Sequence, residues 1–547
     1  MLPVHAASYA SLYDHFQWVI PERYNIGVDV AQRWAENDVD RPALIHVHRA
    51  GHAETYTFGQ IHSQSNQLAH ALYAQGVQPG DRVAVLLPQA PETALTHVAA
   101  FKAGCISIPL FTLFGPDALF FRLHDSQARC VVTNLEGAAR LRELRSRLPD
   151  LKVIFTIDGH AHDTIDLHAA MKACSTAFTA VDTGSNDPAV IIYTSGTTGN
   201  PKGALHAHRV LLGHLPGVEM SHGLLPHPDD RFWTPADWAW IGGLFDVLMP
   251  AWHHGIPVVA HRFQKFDPEA AFQLMQDYQV RNTFLPPTAL KMLRTVQAPE
   301  TRWNYRLRSV ASGGESLGSE LLDWGRKVFG LTINEFYGQT ECNMIVSACD
   351  PLVPARPGAI GRPAPGHRVC VLDDLGQPVP VGQHGAIAVR SPDPVMFLGY
   401  WNNPRGTADK YQGDWLLTGD TGYQDTDGYI HFVGRNDDVI TSAGYRIGPG
   451  EIEDCLLQHP AVRMVAVIGG PDPQRTEVVV AVVVLHDPDA AGDALKHELQ
   501  QYVKTRLAAH EYPRELYFVE ELPMTTTGKI VRRELRARLE QWRAQGS

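Results

Sequence analysis

Apolar and polar positions alternate between two patterns over residues 25–350. Residues 64–73 and 91–103 show the spacing of a helix, whereas short continuous apolar runs are typical of buried strands. These runs lie at residues 82–87, 105–109, 129–133, 189–192, 256–260, 282–285 and 309–312. Strand and helix patterns that follow one another in turn predict parallel sheets with helices on their faces. We therefore expect an α/β fold with a large N-terminal domain of helix-covered, mostly parallel sheets.

The pattern changes near residue 351, where shorter strands and frequent Gly and Pro predict a β-rich subdomain. The final stretch mixes helix and strand patterns and has the size of one α+β domain. A chain of 547 residues exceeds what one hydrophobic core usually supports, so at least two domains are expected. We assign residues 1–436 to the N-terminal domain, with its β-rich subdomain at about 351–436, and residues 437–547 to the C-terminal domain.

A loop rich in glycine and hydroxyl residues follows the apolar run at 189–192. It reads Tyr-Thr-Ser-Gly-Thr-Thr-Gly-Asn-Pro-Lys-Gly from Tyr193 to Gly203. Small residues let backbone N–H groups converge on an anion, hydroxyl groups add donors and a lysine adds positive charge, so the loop predicts a phosphate site. It differs from the nucleoside triphosphatase loop, because Pro201 and Gly203 stand where that pattern needs glycine and a hydroxyl residue. The candidate residues are Thr194, Ser195, Gly196, Thr197, Thr198, Gly199 and Lys202.

Composition narrows the classes of function. The formal net charge of -12 argues against general binding to nucleic acid, and no apolar stretch reaches the length of a membrane span. The seven cysteines are scattered without a Cys-x-x-Cys pair, which is typical of reduced thiols rather than of a zinc ribbon. The N-terminal residues lack the pattern of a signal or transit peptide. We expect a soluble, cytoplasmic protein.

Four further stretches accompany the loop. They are Tyr337-Gly-Gln-Thr-Glu341, Thr418-Gly-Asp420, Gly434-Arg-Asn-Asp-Asp-Val-Ile440 continuing to Gly444-Tyr-Arg-Ile-Gly-Pro-Gly-Glu-Ile-Glu453, and Thr525-Thr-Thr-Gly-Lys529. Their order and spacing resemble the acyl-adenylate-forming superfamily over nearly the whole chain. Within it, the motifs are most similar to those of acetyl-CoA synthetase-like and medium-chain acyl-CoA synthetases. This resemblance implies a small C-terminal domain that rotates about a hinge.

The resemblance implies an AMP-forming acid:CoA ligase that uses ATP, Mg²⁺ and CoA. A carboxylate would attack the α-phosphate of ATP and release pyrophosphate, and the CoA thiol would then attack the acyl-AMP. Two anions meet in the first step, so the site has to supply positive charge and hold the nucleophile in line. The implied catalytic residues are Lys529, Thr340, Glu341 and Lys202. Glu341 would also hold Mg²⁺, which prefers hard oxygen ligands.

The same match implies the other site residues. The loop would hold the β- and γ-phosphates, and Asp420 would accept the ribose hydroxyls. The implied nucleotide-binding residues outside the loop are Gly314, Glu315, Ser316, Tyr337, Gly338, Gln339, Asp420, Arg435 and Arg446. The glycine at 314 also fits an ordinary strand-to-helix turn, and Arg446 fits either the nucleotide or the CoA channel. Asp437 matches the hinge, and Gly444 and Tyr445 match the channel; Ala443, where relatives often have serine, puts one CoA contact in doubt.

The acyl pocket is predicted from two stretches. Acetate-preferring relatives place a tryptophan where Gly338 stands, so glycine is expected to leave that volume open. Trp240 and Gly242 match the other wall, and Trp238 fits either this pocket or the core. We expect a short-to-medium, branched or aryl acid larger than acetate.

Several alternatives remain open at this point. The final thiol acceptor is either CoA or the phosphopantetheine arm of a carrier protein, and a third reading is a non-catalytic nucleotide-binding protein. The histidines at 206, 208, 253 and 254 favour core or surface positions over a metal site. Arg532, Arg536 and Arg543 have the spacing of a solvated helix face. The resemblance also makes Lys529 a candidate for regulation by a lysine acyltransferase and deacylase, and the chain is either a monomer or a homo-oligomer.

Overall fold

The computed structural model describes residues 1–48, 51–194, 201–314, 317–435, 438–442, 445–472, 475–507, 511–525 and 529–545. The chain forms two compact units. The first unit comprises Met1–Arg356, Gly361–Arg368 and Arg390–Asp414, and the second comprises Pro357–Ile360, Val369–Val389 and Trp415–Ser547. The boundary at residue 437 stays a prediction.

Two sheets form the centre of the first unit. One has, in order across the sheet, the strands Ala359–Pro363, Cys342–Ser347, Ile333–Gln339, Ser309–Gly313, Asn282–Phe284, Phe232–Trp233, Val258–Ala260, Pro42–Val47 and Ala53–Thr57. Its central strands are parallel, and an antiparallel hairpin lies at each edge. The buried residues of these strands read as continuous apolar runs because helices cover both faces.

The second sheet of this unit carries the glycine-rich loop. Its strands, in order, are Gly399–Tyr400, Gly203–Ala207, Pro188–Tyr193, Ile106–Pro109, Arg82–Leu86, Cys130–Thr133, Val153–Thr156 and Ile165–Asp166. The strands from Pro188–Tyr193 onward are parallel, and the first two are antiparallel to their neighbours. The loop therefore lies next to an antiparallel edge of an otherwise parallel sheet.

Helices connect and cover these strands. The α-helices of the first unit are Tyr9–Asp14, Arg33–Asn37, Phe58–Ala74, Pro91–Lys102, Pro116–Asp125, Leu135–Leu144, Leu167–Lys172, Val210–Ser221, Ile241–Gly243, Met249–His253, Pro268–Asp277, Pro287–Leu293, Pro299–Arg302, Ser319–Phe329 and Pro404–Ala408. Shorter elements are the π-helical turns Val28–Gln32 and Leu244–Leu248, the 3₁₀ turn Arg145–Arg147 and the strand Tyr411–Gln412. The helix Phe58–Ala74 begins at a capping box, in which Thr57 and Gln60 satisfy each other's backbone N–H groups.

The second unit contains two sets of paired strands. One set is antiparallel and consists of Val369–Leu372, Gly385–Arg390, Trp415–Gln424 and Ile430–Arg435. The other has the strands Tyr445–Ile447, Ile440–Ser442, Thr476–Leu485 and Val462–Asp472, and Glu515–Phe518 pairs with Thr476–Leu485. Helices Pro449–Leu457, Asp493–Arg506 and Arg532–Gln545 and the 3₁₀ turn Pro488–Ala490 accompany this sheet.

The strand Thr476–Leu485 shows why this last sheet is covered on both faces. Val479, Ala481, Val483 and Leu485 belong to one hydrophobic cluster, whereas the residues between them belong to another. Successive side chains of a strand point to opposite faces, so a strand that is apolar throughout needs cover on both. Leu499 of Asp493–Arg506 packs in the first cluster and Leu535 of the terminal helix in the second.

The observed architecture confirms the predicted α/β fold with a large, mostly parallel N-terminal part and a smaller C-terminal part. The interpretation of the terminal arginines as a solvated face is wrong. Arg532 lies 2.6 Å from Glu453, Arg536 lies 2.7 Å from Asp438 and Arg543 pairs with Glu515. A helical spacing of arginines looks the same in sequence whether the partners are water or carboxylates on other elements.

The cysteines and the helices add two findings. All seven cysteines are free thiols, and burial raises the pKa of several of them, including Cys105 and Cys349 to about 12. Among the helices in the described ranges, none has both the length and the apolar character that crossing a bilayer requires.

Candidate active site

The glycine-rich loop closes a β-hairpin. Tyr193 on the strand Pro188–Tyr193 stands opposite Gly203, and the backbone N–H of Thr194 donates to the carbonyl of Lys202 at 2.9 Å. The loop thus joins two antiparallel strands. The nucleoside triphosphatase loop, by contrast, joins a strand to a helix. Ser195, Gly196, Thr197, Thr198 and Gly199 lie outside the described residues.

Tyr193 anchors the base of this hairpin. Its hydroxyl donates to Oδ2 of Asp125 at 2.7 Å, and the indole Nε1 of Trp401 donates to the carbonyl of the same aspartate at 3.1 Å. Burial, together with the Asp125 carboxylate, raises the pKa of Tyr193, so the phenol stays a donor. The end of the strand is therefore held by groups outside the sheet.

Glu341 and Lys202 converge on Tyr400. The Tyr400 hydroxyl donates to Oε1 of Glu341, whose side chain is buried, and Nζ of Lys202 lies 4.9 Å from the centre of the Tyr400 ring. The strand Gly399–Tyr400 brings this tyrosine to the hairpin by pairing with Ala204 and Leu205. The structure thus places two of the predicted catalytic residues beside a third side chain that sequence reasoning missed. Tyr400 lies outside the quoted motifs, so no local signal identifies it.

Tyr337, Gly338 and Gln339 of the Tyr337–Glu341 motif form the carboxyl end of the strand Ile333–Gln339. Tyr337 is buried, and Gln339 accepts a hydrogen bond from Nζ of Lys410 at 3.0 Å. The neighbouring strand Ser309–Gly313 ends at the same edge and leads into Gly314, whose φ of +98° suits glycine. Ligands of open α/β sheets bind at such edges. Glu315 and Ser316 lie outside the described residues.

The packing around position 338 explains why a glycine stands there, which the sequence did not reveal. The ladder between Ile333–Gln339 and Cys342–Ser347 is irregular between Tyr337 and Gln339. A methyl group on Gly338 would lie 2.6 Å from Cα of Asn343 and in steric overlap with the backbone nitrogen of Met344. The expectation that this glycine leaves open volume therefore does not hold in the direction of a side chain, because the hairpin backbone already fills that space.

The other predicted acyl-pocket residues divide between core and partly exposed positions. Trp238 is buried in the main hydrophobic cluster of the first unit. Trp240 is partly exposed and packs against Phe111 and Phe114, with ring centres 5.7 and 5.8 Å away. A methyl group on Gly242 would lie 3.0 Å from the ring of Phe284. Trp240 and Gly242 thus adjoin aromatic side chains, whereas Trp238 packs in the core.

In the second unit, Asp420 and Arg435 stand opposite each other on neighbouring antiparallel strands. Asp420 is buried and its backbone N–H donates to Oγ1 of Thr418, which itself donates to the carbonyl of Ile387 at 2.7 Å. Gly419 has a φ of +82°, and a methyl group there would approach the Arg435 guanidinium to 3.8 Å. Thr418, Gly419 and Asp420 lie within the strand Trp415–Gln424, and the register of the ladder places Asp420 opposite Arg435.

Lys529 belongs to a short connection before the terminal helix. Its backbone N–H donates to Oγ1 of Thr525 at 3.0 Å, and its carbonyl accepts from the Thr525 N–H at 2.7 Å. The lysine is exposed. Tyr445 and Arg446 lie on the strand Tyr445–Ile447, opposite Ser442 and Thr441. Asp437 and Gly444 lie outside the described residues.

The histidines noted in the sequence have ordinary structural surroundings. His206 and His208 are fully buried, and burial lowers the pKa of His206 to about 3 and of His208 to about 4. His253 lies 2.6 Å from Asp29 and His254 lies 3.1 Å from Glu219. In the described part of the chain, no three or more His, Cys, Asp or Glu side chains are grouped so that they could hold a metal ion.

Comparison with models of protein families decides to which family the chain belongs. Residues 31–401 match the model of the AMP-binding enzyme family, and residues 451–529 match that of the AMP-binding enzyme C-terminal domain. The chain belongs to the AMP-binding enzyme family. This result confirms the resemblance to the acyl-adenylate-forming superfamily.

Individual members of the AMP-binding enzyme family are similar over almost the full chain. The chain is 35% identical to "Acyl-coenzyme A synthetase ACSM3, mitochondrial" of Rattus norvegicus, over 98% of this chain and 94% of that protein. It is 34% identical to the acetyl-coenzyme A synthetase of Bacillus subtilis, over 97% and 95% of the two chains. The crystal structure of the anthranilate CoA ligase AuaEII with anthranoyl-AMP aligns with a TM-score of 0.87, 28% identity and coverage of 96% and 99%. The chain is thus a member of the AMP-forming acyl-CoA ligases, a group that uses ATP and CoA.

Proposed function

We propose that this protein activates a carboxylic acid with ATP, forming acyl-AMP and pyrophosphate, and then transfers the acyl group to CoA. The observation that carries this proposal is the convergence of Lys202 and Glu341 on Tyr400, at the hairpin that bears the glycine-rich loop. A cation and a carboxylate held beside one phosphate loop are what a polyphosphate substrate with a bound metal requires. The family membership supports the same reaction.

In this proposal, each part of the nucleotide has its own set of residues. Thr194 to Gly199 and Lys202 hold the β- and γ-phosphates, while Gly314, Glu315, Ser316 and Tyr337 line the adenine. Asp420 accepts the ribose hydroxyls, and Arg435, opposite it in the ladder, adds positive charge near the phosphates. Thr340 and Glu341 lie next to the α-phosphate, and Gln339 also binds the nucleotide.

Glu341 fits the role of a magnesium ligand. Its carboxylate is a hard oxygen donor. The hydrogen bond from the Tyr400 hydroxyl involves only one of the two carboxylate oxygens. Mg²⁺ is commonly held by one or two carboxylates, with substrate phosphates and water as its other ligands, so the absence of a larger cluster in the described residues is compatible with it. When bound, the ion would neutralise phosphate charge.

The first chemical step needs positive charge near the α-phosphate. A carboxylate oxygen of the acid forms a bond to the α-phosphorus, and the bond between that phosphorus and the bridging oxygen breaks, so pyrophosphate leaves. Lys529 donates hydrogen bonds to the carboxylate and α-phosphate oxygens, where negative charge develops. In the second step the CoA sulfur attacks the acyl carbonyl, AMP leaves and the thiol proton is released.

The second step employs a different part of the C-terminal domain. We assign the hinge to Asp437 and the pantetheine channel to Gly444 and Tyr445, and Arg446 supports the nucleotide or this channel. Under this assignment Lys529 serves only the adenylation step. The two half-reactions then depend on different residues of one domain, which makes them separable by mutation.

The acid itself is proposed to be short-to-medium, branched or aryl, and larger than acetate. Trp240 and Gly242 adjoin aromatic side chains, which provide apolar surface for such an acyl group. A panel of carboxylic acids with ATP, Mg²⁺ and CoA, scored for both AMP and thioester, tests the reaction. Pyrophosphate release without CoA consumption would favour loading of a carrier protein instead, and no AMP from any acid would contradict the proposal.

Substitution of Lys529 tests the division of roles. We expect Lys529→Ala to lower acyl-AMP formation by about 100-fold or more, because the removed cation stabilises transition-state charge. Thioester formation from supplied acyl-AMP should change less than about threefold, since the lysine is not required there. Both half-reactions can be followed by pyrophosphate release and by thioester yield.

Lys496→Ala provides a matched control. Lys496 is a partly exposed lysine of the same unit whose ammonium lies 3.8 Å from Asp493, and its loss should leave both half-reactions unchanged. Full adenylation activity in Lys529→Ala would contradict the assignment.

The exposure of Lys529 also suits it to acylation, which would remove the same charge and is proposed as a means of regulation.

A further inference from the structure

A buried pair of polar side chains connects the two glycines assigned to the acyl pocket. Nδ2 of Asn343 donates to Oδ1 of Asp246 at 2.7 Å, and the two residues keep only 4% and 3% of their surface exposed. A methyl group on Gly242 would lie 3.5 Å from Oδ2 of Asp246, and one on Gly338 would lie 2.6 Å from Oδ1 of Asn343. The second carboxyl oxygen of Asp246 therefore faces Gly242, and the amide oxygen of Asn343 faces Gly338.

The surroundings of Asp246 favour its protonated form. Burial raises the pKa of Asp246 well above its usual range, and the ionisable partner beside it within the described residues is His214. Nδ1 of His214 lies 2.7 Å from the carbonyl of Val210 and so carries the ring proton, while burial lowers the pKa of His214 to about 4. The ring is neutral, and its bare Nε2 lies 3.9 Å from Oδ1 of Asp246, beyond hydrogen-bond distance.

The hydrogen bonds of the pair then fix a donor and an acceptor. Because Oδ1 of Asp246 accepts from Asn343, the carboxyl proton resides on Oδ2 and makes it a donor. The amide oxygen of Asn343 remains an acceptor. Within the described part of the chain, the bond between Asn343 and Asp246 is the only hydrogen bond found for either side chain, and neither of the two remaining oxygens is among the fully enclosed unpaired atoms. Buried polar groups are nearly always paired, so both point to a group that is supplied from outside the protein.

The backbone around the pair is irregular in the way that functional sites often are. Asp246 lies in the π-helical turn Leu244–Leu248, and the ladder irregularity at Gly338 lies opposite Asn343 and Met344. Met344 has a φ of +58°, a left-handed conformation that is costly for a residue with a side chain. Such π turns, bulges and strained residues concentrate near ligands.

We propose that Asp246 and Asn343 form the polar end of the acyl pocket and select acids that carry an uncharged hydroxyl group. This inference rests on the proposed function. A hydroxyl donates to Oδ1 of Asn343 and accepts from the carboxyl group of Asp246, so it satisfies both oxygens. An unsubstituted acid leaves both without a partner, and sites built to bind a hydroxyl reject the analogue that lacks it. Phe284, beside Gly242, supplies the apolar wall for the rest of the acid.

Matched pairs of acids test the inference. Benzoate and its three monohydroxylated forms, and straight-chain acids of four to six carbons with their terminal hydroxy forms, are compared by kcat/KM for AMP formation. We expect the wild-type protein to prefer the hydroxylated member of at least one pair by about tenfold or more. Asp246→Leu should reduce that ratio by about tenfold or more, through loss of activity on the hydroxylated acid.

Asp246→Asn is the conservative counterpart, because its amide keeps a donor at nearly the same place, and it should retain most of the preference. Asn343→Leu removes the acceptor and repeats the test if Asp246→Leu does not fold, as judged by thermal melting. Equal kcat/KM of the wild type for both members of every pair would overturn the inference, as would an unchanged ratio in both leucine variants. If no acid of the panel gave AMP, the proposed function would fail and the inference with it.

Discussion

At the scale of single residues, Gly338 shows how a backbone contact can look like a substrate determinant. Its Cα hydrogen points at Met344 and Asn343 across an irregular ladder, where a methyl group has no room. We expect Gly338→Ala to destabilise the protein by about 1–3 kcal/mol, the usual cost of overpacking. Activity should fall for small and large acids alike, because the motif strand that leads to Glu341 has to move. Thermal melting and kcat/KM for acetate and for benzoate measure the two effects.

Gly450→Ala is the control for this substitution. A methyl group on Gly450 would meet no atom within 4 Å, and the residue lies in the first turn of the helix Pro449–Leu457, so alanine should be neutral or slightly stabilising. A Gly338→Ala protein that melts like the wild type and loses only activity on larger acids would show that position 338 controls pocket volume after all.

At the scale of secondary-structure elements, a buried lysine joins two helices of the first unit. Lys102, the last residue of Pro91–Lys102, is fully buried and donates to three acceptors on Phe58–Ala74. The acceptors are Asn66 Oδ1 at 2.8 Å, Ser65 Oγ at 3.0 Å and His62 Nδ1 at 3.0 Å. Burial lowers the pKa of Lys102 to about 7, and burial beside this lysine lowers the pKa of His62 to about 4.

This lowered pKa predicts a pH-dependent stability. Between pH 7 and about 10.5 the lysine binds a proton in the unfolded chain but not in the folded one, so the free energy of unfolding rises with pH over this window. The difference in that free energy, wild type minus Lys102→Met, should therefore rise by about 1.4 kcal/mol per pH unit between pH 7.5 and 9.5. Urea unfolding followed by tryptophan fluorescence reports chiefly on this unit, because only Trp415 and Trp542 of the eleven tryptophans belong to the other.

Lys152→Met serves as the comparison, since Lys152 is exposed and its loss should give a difference that does not change with pH. A flat or falling difference for Lys102→Met would show that the ammonium keeps its proton in the folded protein throughout this range.

The elements also show where sequence patterns succeed and fail. The strand Arg82–Leu86 and the helix Pro91–Lys102 match their predicted bounds within a residue, because burial on both faces and helical spacing are local signals. Tyr400 approaches Glu341 only because Gly399 and Tyr400 pair with Leu205 and Ala204, far away in the sequence, and no local pattern encodes that pairing. The Asp246–Asn343 bond is equally invisible in sequence, since it joins a π-helical turn to a strand of a distant hairpin.

At the scale of the whole molecule, the predicted boundary at residue 437 can be tested by cutting the chain there. Two hydrophobic clusters of the second unit consist entirely of residues beyond that point, one on each face of the sheet that contains Thr476–Leu485. The terminal helix is tied to the same segment by the pairs of Arg532 with Glu453 and of Arg536 with Asp438. A segment with its own covered sheet and its own ion pairs has what an independent domain needs.

We therefore expect residues 438–547 alone to fold, with a cooperative thermal transition by circular dichroism and a stability of at least about 3 kcal/mol, near the lower end for a chain of this length. Val480 is fully buried in one of the two clusters, so Val480→Asp should abolish the transition by placing a charge in the core and thereby show that the transition reports this packing. If residues 438–547 showed no transition while residues 415–547 did, the strands Trp415–Gln424 and Ile430–Arg435 would be part of the folding unit. The boundary would then lie upstream of residue 437, and Asp437 would be an interior residue of a domain rather than its hinge.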